Sequence, residues 1–396
     1  MTAHFATESS REVIRLLEQA GYEAVFVGGA VRDYVLGKPA TDIDIATSAK
    51  PEEVKALFPM TVDIGTAHGT VLVLIDGEPI EVTTYRTEGT YSDHRRPDEV
   101  QFVTSLREDL LRRDFTMNAL AMTKDGELID LFGGQKDMAR QLIRAVGHAA
   151  DRFNEDALRM FRAVRFTSVL DFAIEEETFE AIRAHAAQIQ YISVERLKAE
   201  MDKLFKGVNP VKAFQFIEQT TLSNHLPLFP RSLGKLNKMV PFRTAVEGWA
   251  CLMLAGDFTS GAVAKAYKLS NAEKSFLSTV HQASVRRSNS LFTIDDYYHF
   301  DLAVLLLAEK WVHIIGHSSQ ALSEDEITSR KQSLPIQSVA DLVVTGKDLM
   351  AWAELRGGRW TGEWIEKITM AVLHGKCENN SNNIKEWFLN EFKREK

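Results

Sequence analysis

Two aspartates separated by one residue are the first candidates for chemistry in this chain. Asp42 and Asp44 alternate with Ile43 and Ile45, a period-two pattern that predicts a β-strand with both carboxylates on one face. Their Cα atoms would then lie about 6.6 Å apart. Like charges at this distance repel unless a cation lies between them, and Mg²⁺ takes oxygen ligands. The pair is therefore a candidate metal site, although solvated surface carboxylates give the same pattern.

A glycine pair precedes that strand. Gly28 and Gly29 follow the apolar run 24–27, which predicts a buried strand, and precede a predicted helix over 30–36. Glycines at such a junction let backbone N–H groups approach a phosphate. Arg32, one turn into the helix, could reach a triphosphate. A tight turn with an exposed arginine is the alternative, but twelve residues separate Gly29 from Asp42 at the start of the aspartate strand, and this combination favours phosphate binding.

A third carboxylate is expected from a neighbouring hairpin. Two strand-like runs, 70–75 and 80–86, lie on either side of Asp76 and Gly77, which predicts a hairpin with a glycine-containing turn. Glu81 is polar among apolar neighbours on the second run. It could complete the metal site or help to deprotonate an attacking hydroxyl, or it could simply face solvent. These elements together predict an α+β domain on a small mixed sheet.

Strand signals fade after about residue 147, and helical periodicity replaces them, for example over 151–170 and 194–205. The predicted fold is thus an α+β head followed by an elongated, all-helical remainder. The predicted divisions are an α+β head at 1–147, a helical neck at 148–207, a helical body at 208–315 and a helical tail at 316–396.

Composition limits the function classes. The 396 residues carry a net charge of −8, which on its face disfavours nucleic acid, yet Arg140 to Arg165 holds six arginines against three acidic residues. RNA binding would depend on such patches. Cys251 and Cys377 form no disulfide framework or zinc motif. With no signal-peptide pattern and no apolar run of about 20 residues, we expect a cytoplasmic protein without membrane contact.

Five motifs occur in order along the chain. They are Gly28-Gly29-Ala30-Val31-Arg32-Asp33, Asp42-Ile43-Asp44-Ile45, Arg112-Arg113-Asp114-Phe115-Thr116-Met117-Asn118-Ala119, Glu155-Asp156-Ala157-Leu158-Arg159 and Thr345-Gly346-Lys347-Asp348-Leu349. Together they resemble the polymerase β-type nucleotidyltransferase superfamily, and within it the bacterial and eukaryotic (class II) tRNA nucleotidyltransferases and the related bacterial poly(A) polymerases. The resemblance is clearest over residues 26–166. It implies a catalytic, polymerase β-like head, base recognition in the neck and tRNA binding by the tail, with Mg²⁺ as cofactor, ATP and CTP as nucleotides, and the tRNA 3′ end as partner.

The same resemblance implies that Asp156 and Arg159 read the incoming base. C and A each present an amino donor beside a ring-nitrogen acceptor, which a carboxylate beside a guanidinium complements, whereas U and G present the reverse. As residues i and i+3 of one predicted helix, the pair could address one ligand together, or could form an intrahelical salt bridge. Arg113 should face the nucleotide, and Arg162 and Arg165 the triphosphate or the RNA end.

The implied reaction is template-independent addition of C, C and A to tRNA by two-metal phosphoryl transfer with release of pyrophosphate. Residues 91–98 correspond to the family's flexible loop, which is associated with adding the terminal A, and His94 is expected to be a loop residue rather than a catalytic base. Addition of A alone, poly(A) synthesis and, more distantly, non-catalytic RNA binding are alternatives. The sequence leaves the oligomeric state open, with a homodimer among the options.

Overall fold

The computed structural model describes residues 5–40, 43–65, 69–88, 100–317 and 320–395. The chain divides into two compact units. The first comprises Met1–Arg231, Val240–Ala245 and Ala266–Lys268, and the second comprises Ser232–Met239, Val246–Lys265 and Leu269–Lys396. The strands all fall in the first unit, and the described part of the second is helical. The finer four-part division drawn from the sequence stays a prediction.

A seven-stranded mixed sheet forms the framework of the head. The strands of the described residues are β1 (Ala24–Val27), β2 (Asp44–Thr47), β3 (Thr61–Gly65), β4 (Thr70–Ile75), β5 (Glu78–Thr84), β6 (Arg86–Glu88), β7 (Val100–Phe102), β8 (Leu120–Met122), β9 (Leu128–Asp130), β10 (Leu142–Ile143) and β11 (Ala173–Ile174). The order in the large sheet is β3-β4-β5-β2-β1-β8-β9. Strands β2 and β5 run parallel, and the other neighbours in this sheet are antiparallel. The α+β expectation is thereby confirmed.

The predicted hairpin is confirmed as β4 and β5. Asp76 and Gly77 have φ of 50° and 79°, the left-handed backbone that a two-residue hairpin turn requires. The strand predicted over 42–45 is shifted: β2 begins at Asp44 and continues to Thr47, with Ile45, Ala46 and Thr47 buried. This strand is therefore defined by the three buried residues that follow Asp44, and not by the Asp-Ile-Asp alternation alone. Asp42 lies outside the described residues.

The described part of the first unit contains ten α-helices. They are α1 (Glu8–Gln19), α2 (Gly29–Val35), α3 (Pro51–Leu57), α4 (Leu106–Leu111), α5 (Gly134–Ala139), α6 (Ala149–Glu155), α7 (Leu158–Leu170), α8 (Glu176–His185), α9 (Val194–Phe205) and α10 (Pro210–Gln219). Helix α7 is buried along almost its whole length and packs against α9 and α10.

The sequence predicted one helix over 151–170, and this is wrong. The helix breaks at Asp156, whose backbone is extended (φ −145°, ψ 103°), so that α6 ends at Glu155 and α7 begins at Leu158. The Asp156 carboxylate accepts a hydrogen bond from the Leu158 backbone N–H at 3.1 Å. Aspartate competes well for such local N–H groups, which is why it favours helix ends over helix interiors.

The second unit has its own apolar cores. Its described helices are α11 (Gly234–Met239), α12 (Ala245–Ala255), α13 (Ser260–Tyr267), α14 (Asn271–Asn289), α15 (Ile294–His299), α16 (Leu302–Ile314), α17 (Glu324–Gln332), α18 (Gly346–Ala353), α19 (Arg359–Leu373) and α20 (Ser381–Arg394). Leu349, Trp364, Ile368 and Phe388 pack together where α18, α19 and α20 meet. Thr345, in the last of the sequence motifs, precedes α18 and donates its hydroxyl and backbone N–H to the Asp348 carboxylate. Among the helices described, none has the length and apolar character to cross a membrane.

Candidate active site

A cavity of about 480 Å³ opens in the first unit where β1, β2, α7 and α9 approach one another. Its lining carries eight cationic side chains and only three carboxylates, in a chain whose overall charge is negative. Such a concentration of positive charge is suited to a polyanion such as a triphosphate. The lining residues are Gly28, Gly29, Arg32, Asp44, Arg112, Arg113, Asp114, Asn118, Asp156, Leu158, Arg159, Arg162, Arg165, Phe166, Arg196 and Lys203.

The turn after β1 brings the glycine pair to the first aspartate of β2. Gly28 has φ 77° and ψ −141°, a conformation that is essentially reserved for glycine. A Cβ at Gly28 would lie 3.3 Å from the Arg113 guanidinium and 3.6 Å from the Asp44 carboxylate. The structure therefore brings together three residues that the sequence proposed separately: the glycine, the carboxylate and the arginine.

Strand pairing places two of the proposed catalytic carboxylates side by side. Asp44 pairs in register with Val27 of β1 on one side and with Glu81 of β5 on the other. Because register partners on adjacent strands project from the same face, Asp44 and Glu81 share a face. Glu81 is exposed and lies beside the cavity rather than in its lining. Glu81 can therefore face solvent and still lie next to Asp44, as its proposed role requires.

The donor set suits a hard divalent ion. Carboxylate oxygens are the ligands that Mg²⁺ prefers, and Asp44 and Glu81 supply them from neighbouring strands. Within the described ranges, no group of three or more His, Cys, Asp or Glu side chains could hold a metal by itself. Asp42, the third member of the predicted set, falls outside those ranges.

Buried aspartates hold several of the arginines in place. Asp109 accepts hydrogen bonds from Arg112 at 2.7 Å and from Arg113 at 3.0 Å. Burial raises the pKa of Asp109, but the two guanidinium groups outweigh it, and the net pKa lies below the usual value. Asp109 therefore stays charged and fixes Arg113 beside Gly28.

A second buried aspartate holds further side chains of the cavity lining in place. Asp114, only 8% exposed, accepts from Arg162 at 2.7 Å and from the Asn118 amide at 2.9 Å. Burial opposes its ionisation, yet these partners lower the pKa of Asp114 to about 2. Arg32 donates to Asn118 at 2.7 Å and pairs with Asp33, so its guanidinium lines the cavity from a fixed position. The expectation of a merely exposed Arg32 is not met, because its side chain is 12% exposed.

Asp156 and Arg159 both line the cavity, but they do not form the intrahelical pair weighed from the sequence. Asp156 pairs with Arg196 at 2.5 Å. Arg159 pairs with Glu155 at 2.5 Å and donates to the backbone carbonyl of Arg112 at 2.9 Å. The helix break at Asp156 explains the difference, because it removes the i, i+3 geometry of a continuous helix.

Helix α9 contributes three charged residues to this region that sequence reasoning missed. Glu200, 4% exposed, accepts from Arg165 at 2.8 Å and lies 3.6 Å from Arg162. Arg196 and Lys203 line the cavity. Burial lowers the pKa of Arg165, whose guanidinium also lies 3.5 Å from the Phe166 ring centroid. Charged residues at 196, 200 and 203 follow helical spacing, which was the available signal, but solvated helix faces show it too.

Three family models match the chain. Residues 24–144 match the "Poly A polymerase head domain", residues 171–231 the "Probable RNA and SrmB- binding site of polymerase A", and residues 240–388 the tRNA nucleotidyltransferase domain 2. Among curated relatives, the CCA-adding enzyme of Bacillus cereus is 41% identical over 96% of this chain and 97% of its own length. The chain belongs to the CCA-adding enzyme family. A second CCA-adding enzyme, from Bacillus cytotoxicus, is 42% identical over 95% of this chain and 96% of its own length.

Solved structures of CCA-adding enzymes agree with this assignment. The Bacillus stearothermophilus CCA-adding enzyme in complex with CTP superimposes with a TM-score of 0.79 and 38% identity, covering 98% of each chain. The Thermotoga maritima CCA-adding enzyme complexed with tRNA is 21% identical with a TM-score of 0.67, over 98% of this chain and 97% of that one, and supports the fold alone. Nucleotidyl transfer in this family typically uses a divalent metal ion.

Proposed function

We propose that this chain adds C, C and A in turn to the 3′ end of tRNA, using CTP and ATP, without a nucleic-acid template and with release of pyrophosphate. Membership of the CCA-adding enzyme family along nearly the whole chain supports this activity. The observation that carries the proposal is the register of the sheet, which sets Asp44 between the Gly28 turn and Glu81 at the edge of a cation-rich cavity.

The carboxylates perform the first part of the proposed chemistry. Asp42 and Asp44 would hold Mg²⁺, which when bound lowers the pKa of the attacking 3′-hydroxyl and neutralises charge on the α-phosphate. Glu81, on the same face as Asp44, completes the carboxylate set and accepts the hydroxyl proton. Because the sheet fixes both strands, the reacting groups are positioned before the nucleotide arrives, which is the main source of acceleration in this kind of transfer.

The arginines hold the triphosphate. Arg32, Arg113, Arg162 and Arg165 all line the cavity, and each also pairs with an aspartate or glutamate of the protein. A guanidinium has five N–H donors, so a protein carboxylate leaves donors for a phosphate oxygen. The carboxylates orient these side chains without cancelling the cavity's positive charge, because cationic groups outnumber acidic groups in the lining.

Asp156 and Arg159 select the base. The carboxylate accepts from the amino group of C or A, and the guanidinium donates to the adjacent ring nitrogen. U and G would set a carbonyl against the carboxylate and an N–H against the guanidinium, and unpaired polar groups of this kind reject a ligand strongly. The backbone of Arg112 and the Glu155 carboxylate hold Arg159 in the cavity wall.

Extension of truncated tRNA transcripts with each nucleotide separately tests the proposal. A transcript without its CCA end should accept C from CTP, and a transcript without only the final A should accept A from ATP. Incorporation of A alone would assign the protein as an A-adding enzyme, long A tracts would assign a poly(A) polymerase, and no incorporation would refute the enzyme assignment.

An Asp44→Asn variant tests the catalytic carboxylate in the same assay. Incorporation of both nucleotides should fall by roughly a thousandfold or more, because a charge that stabilises the transition state is lost, while tRNA binding is retained. Asp63→Asn is the matched control, since Asp63 lies on β3 of the same sheet and pairs with Lys55 at the exposed edge. Wild-type turnover by the Asp44→Asn variant would contradict the assignment.

A further inference from the structure

We propose that Arg196 of α9 is a positioning residue for nucleotide selection, acting through Asp156. The inference rests on the proposed function, in which Asp156 reads the base. The Asp156 carboxylate accepts from two nitrogens of Arg196, one at 2.5 Å to Oδ2 and one at 3.2 Å to Oδ1. A two-point contact between a guanidinium and a carboxylate fixes the plane of the carboxylate as well as its place.

The local backbone cannot fix Asp156 by itself. Asp156 lies in the break between α6 and α7, with extended backbone, so neither helix dictates where its side chain points. One local contact exists, the hydrogen bond from Leu158 N–H to Oδ1 at 3.1 Å. A single contact leaves the Asp156 carboxylate free to rotate about its side-chain bonds, whereas the two additional hydrogen bonds from Arg196 prevent that rotation. The orientation of Asp156 therefore comes from α9, forty residues further along the chain.

Counting acceptor sites shows why orientation matters for selection. A carboxylate has about four lone-pair sites on its two oxygens. Three are occupied here, two by Arg196 and one by Leu158 N–H. The remaining site accepts one N–H, which matches the single amino N–H that C or A directs to a Watson–Crick partner. Arg196 is thereby a specificity-determining residue: it decides which direction of Asp156 stays open to the base.

The rest of the α9 face works in the same way. Glu200, one turn after Arg196, holds Arg165 at 2.8 Å and lies 3.6 Å from Arg162, the proposed phosphate ligands. A cation on α9 thus faces the anionic base reader, and an anion on α9 faces the cationic phosphate ligands. This complementary order explains how one rigid helix keeps both halves of the nucleotide site in place.

The test compares single-nucleotide extension by wild type, Arg196→Met and Arg196→Lys. Methionine keeps the apolar stem and removes the donors, and lysine keeps the charge without the two-point contact. The readout is kcat/KM for CTP or ATP divided by kcat/KM for UTP or GTP. We expect this ratio to fall at least tenfold in Arg196→Met, with a smaller fall in Arg196→Lys. Lys198→Met is the control, because Lys198 is on the same helix, pairs with Asp202 and does not line the cavity.

A double-mutant cycle separates an effect through Asp156 from general loosening of the site. If Arg196 acts through Asp156, adding Arg196→Met to Asp156→Ala should leave the selectivity of Asp156→Ala unchanged. An additive further loss, or a wild-type ratio in Arg196→Met, would overturn the inference. Should Arg196→Met fail to fold, a wild-type ratio in Arg196→Lys overturns it instead. Wild-type protein that adds no C or A would refute the proposed function rather than this inference.

Discussion

Replacement of Asp114 by asparagine tests how the cavity's buried charges are balanced. The Asp114 carboxylate is almost fully buried and accepts from Arg162, from the Asn118 amide and from the Phe115 backbone N–H. Asparagine can keep the acceptor that faces Asn118 and Phe115. Its amide nitrogen would then face the Arg162 guanidinium, so that a donor meets a donor and the ion pair is lost.

The size of the effect follows from the pKa. The folded-state pKa of Asp114 is lowered from its ordinary 3.8 to about 2, because the positive charge of Arg162 and the hydrogen bonds from Asn118 and Arg162 outweigh the cost of burial. At roughly 1.4 kcal/mol per unit, ionised Asp114 contributes about 2.5 kcal/mol to the free energy of unfolding at neutral pH. One-third exposure of the Arg162 side chain lets water solvate the unpaired cation, which keeps the loss below the ~3–5 kcal/mol of a fully buried broken pair.

Hydrogen exchange resolved by peptide is the appropriate assay, because the six tryptophans all lie in segments of the second unit and report nothing about Asp114. Protection of α7 amides at neutral pH should fall about 70-fold in Asp114→Asn, the equivalent of ~2.5 kcal/mol. Peptides from α14 and α16 provide an internal reference. Asp171→Asn is the matched control: this half-exposed carboxylate pairs with Lys212, and its loss should cost less than about 1 kcal/mol.

The pH dependence of the unfolding free energy tests the sign of the Asp114 contribution. A carboxylate with a lowered folded-state pKa stabilises the fold above its unfolded-state pKa, and that stability is lost as pH falls through the folded-state value. The difference in unfolding free energy between wild type and Asp114→Asn should therefore be full above about pH 4 and shrink as pH falls towards 2. A difference that does not change with pH, or an equal loss in Asp171→Asn, would refute the reasoning.

Two further substitutions test the site. Gly28→Ala places a methyl group 3.3 Å from the Arg113 guanidinium on backbone with φ 77°, a strain of about 1–3 kcal/mol. In steady-state extension assays, kcat should therefore fall tenfold or more. Gly21→Ala, at a positive φ but in open space, should leave kcat unchanged. Asp156→Ala should raise the share of UMP and GMP incorporated relative to CMP and AMP, as measured by sequencing extended transcripts, and unchanged fidelity would contradict its proposed role as base reader.

The head could be predicted from sequence because its signals are local. Apolar alternation, the Asp76-Gly77 turn and the glycines after β1 each determine backbone geometry within a few residues, and the structure has the hairpin where it was expected. The convergence of Gly28, Asp44 and Arg113 follows from the order of the motifs and the strand pairing that they imply.

The partners of the charged residues could not be predicted in the same way. Helical spacing made Arg159 the obvious partner of Asp156, but the helix break and the distant Arg196 decide the pairing instead. Asp109, Asp114 and Glu200 had no assigned role, because a buried carboxylate is recognised only by the guanidinium groups that the fold brings to it. Sequence patterns report which residues share a face, and tertiary packing determines which charges meet.

The partition of charge has a consequence for encounters with nucleic acid at large. Because cationic groups predominate in the cavity lining while the whole chain has a net charge of −8, the residues outside the lining together carry a net charge more negative than −8. Repulsion by this excess negative charge should weaken non-specific binding to DNA or ribosomal RNA, while the cavity attracts phosphate groups. A protein with this charge distribution could move among many other nucleic acids without being bound by them.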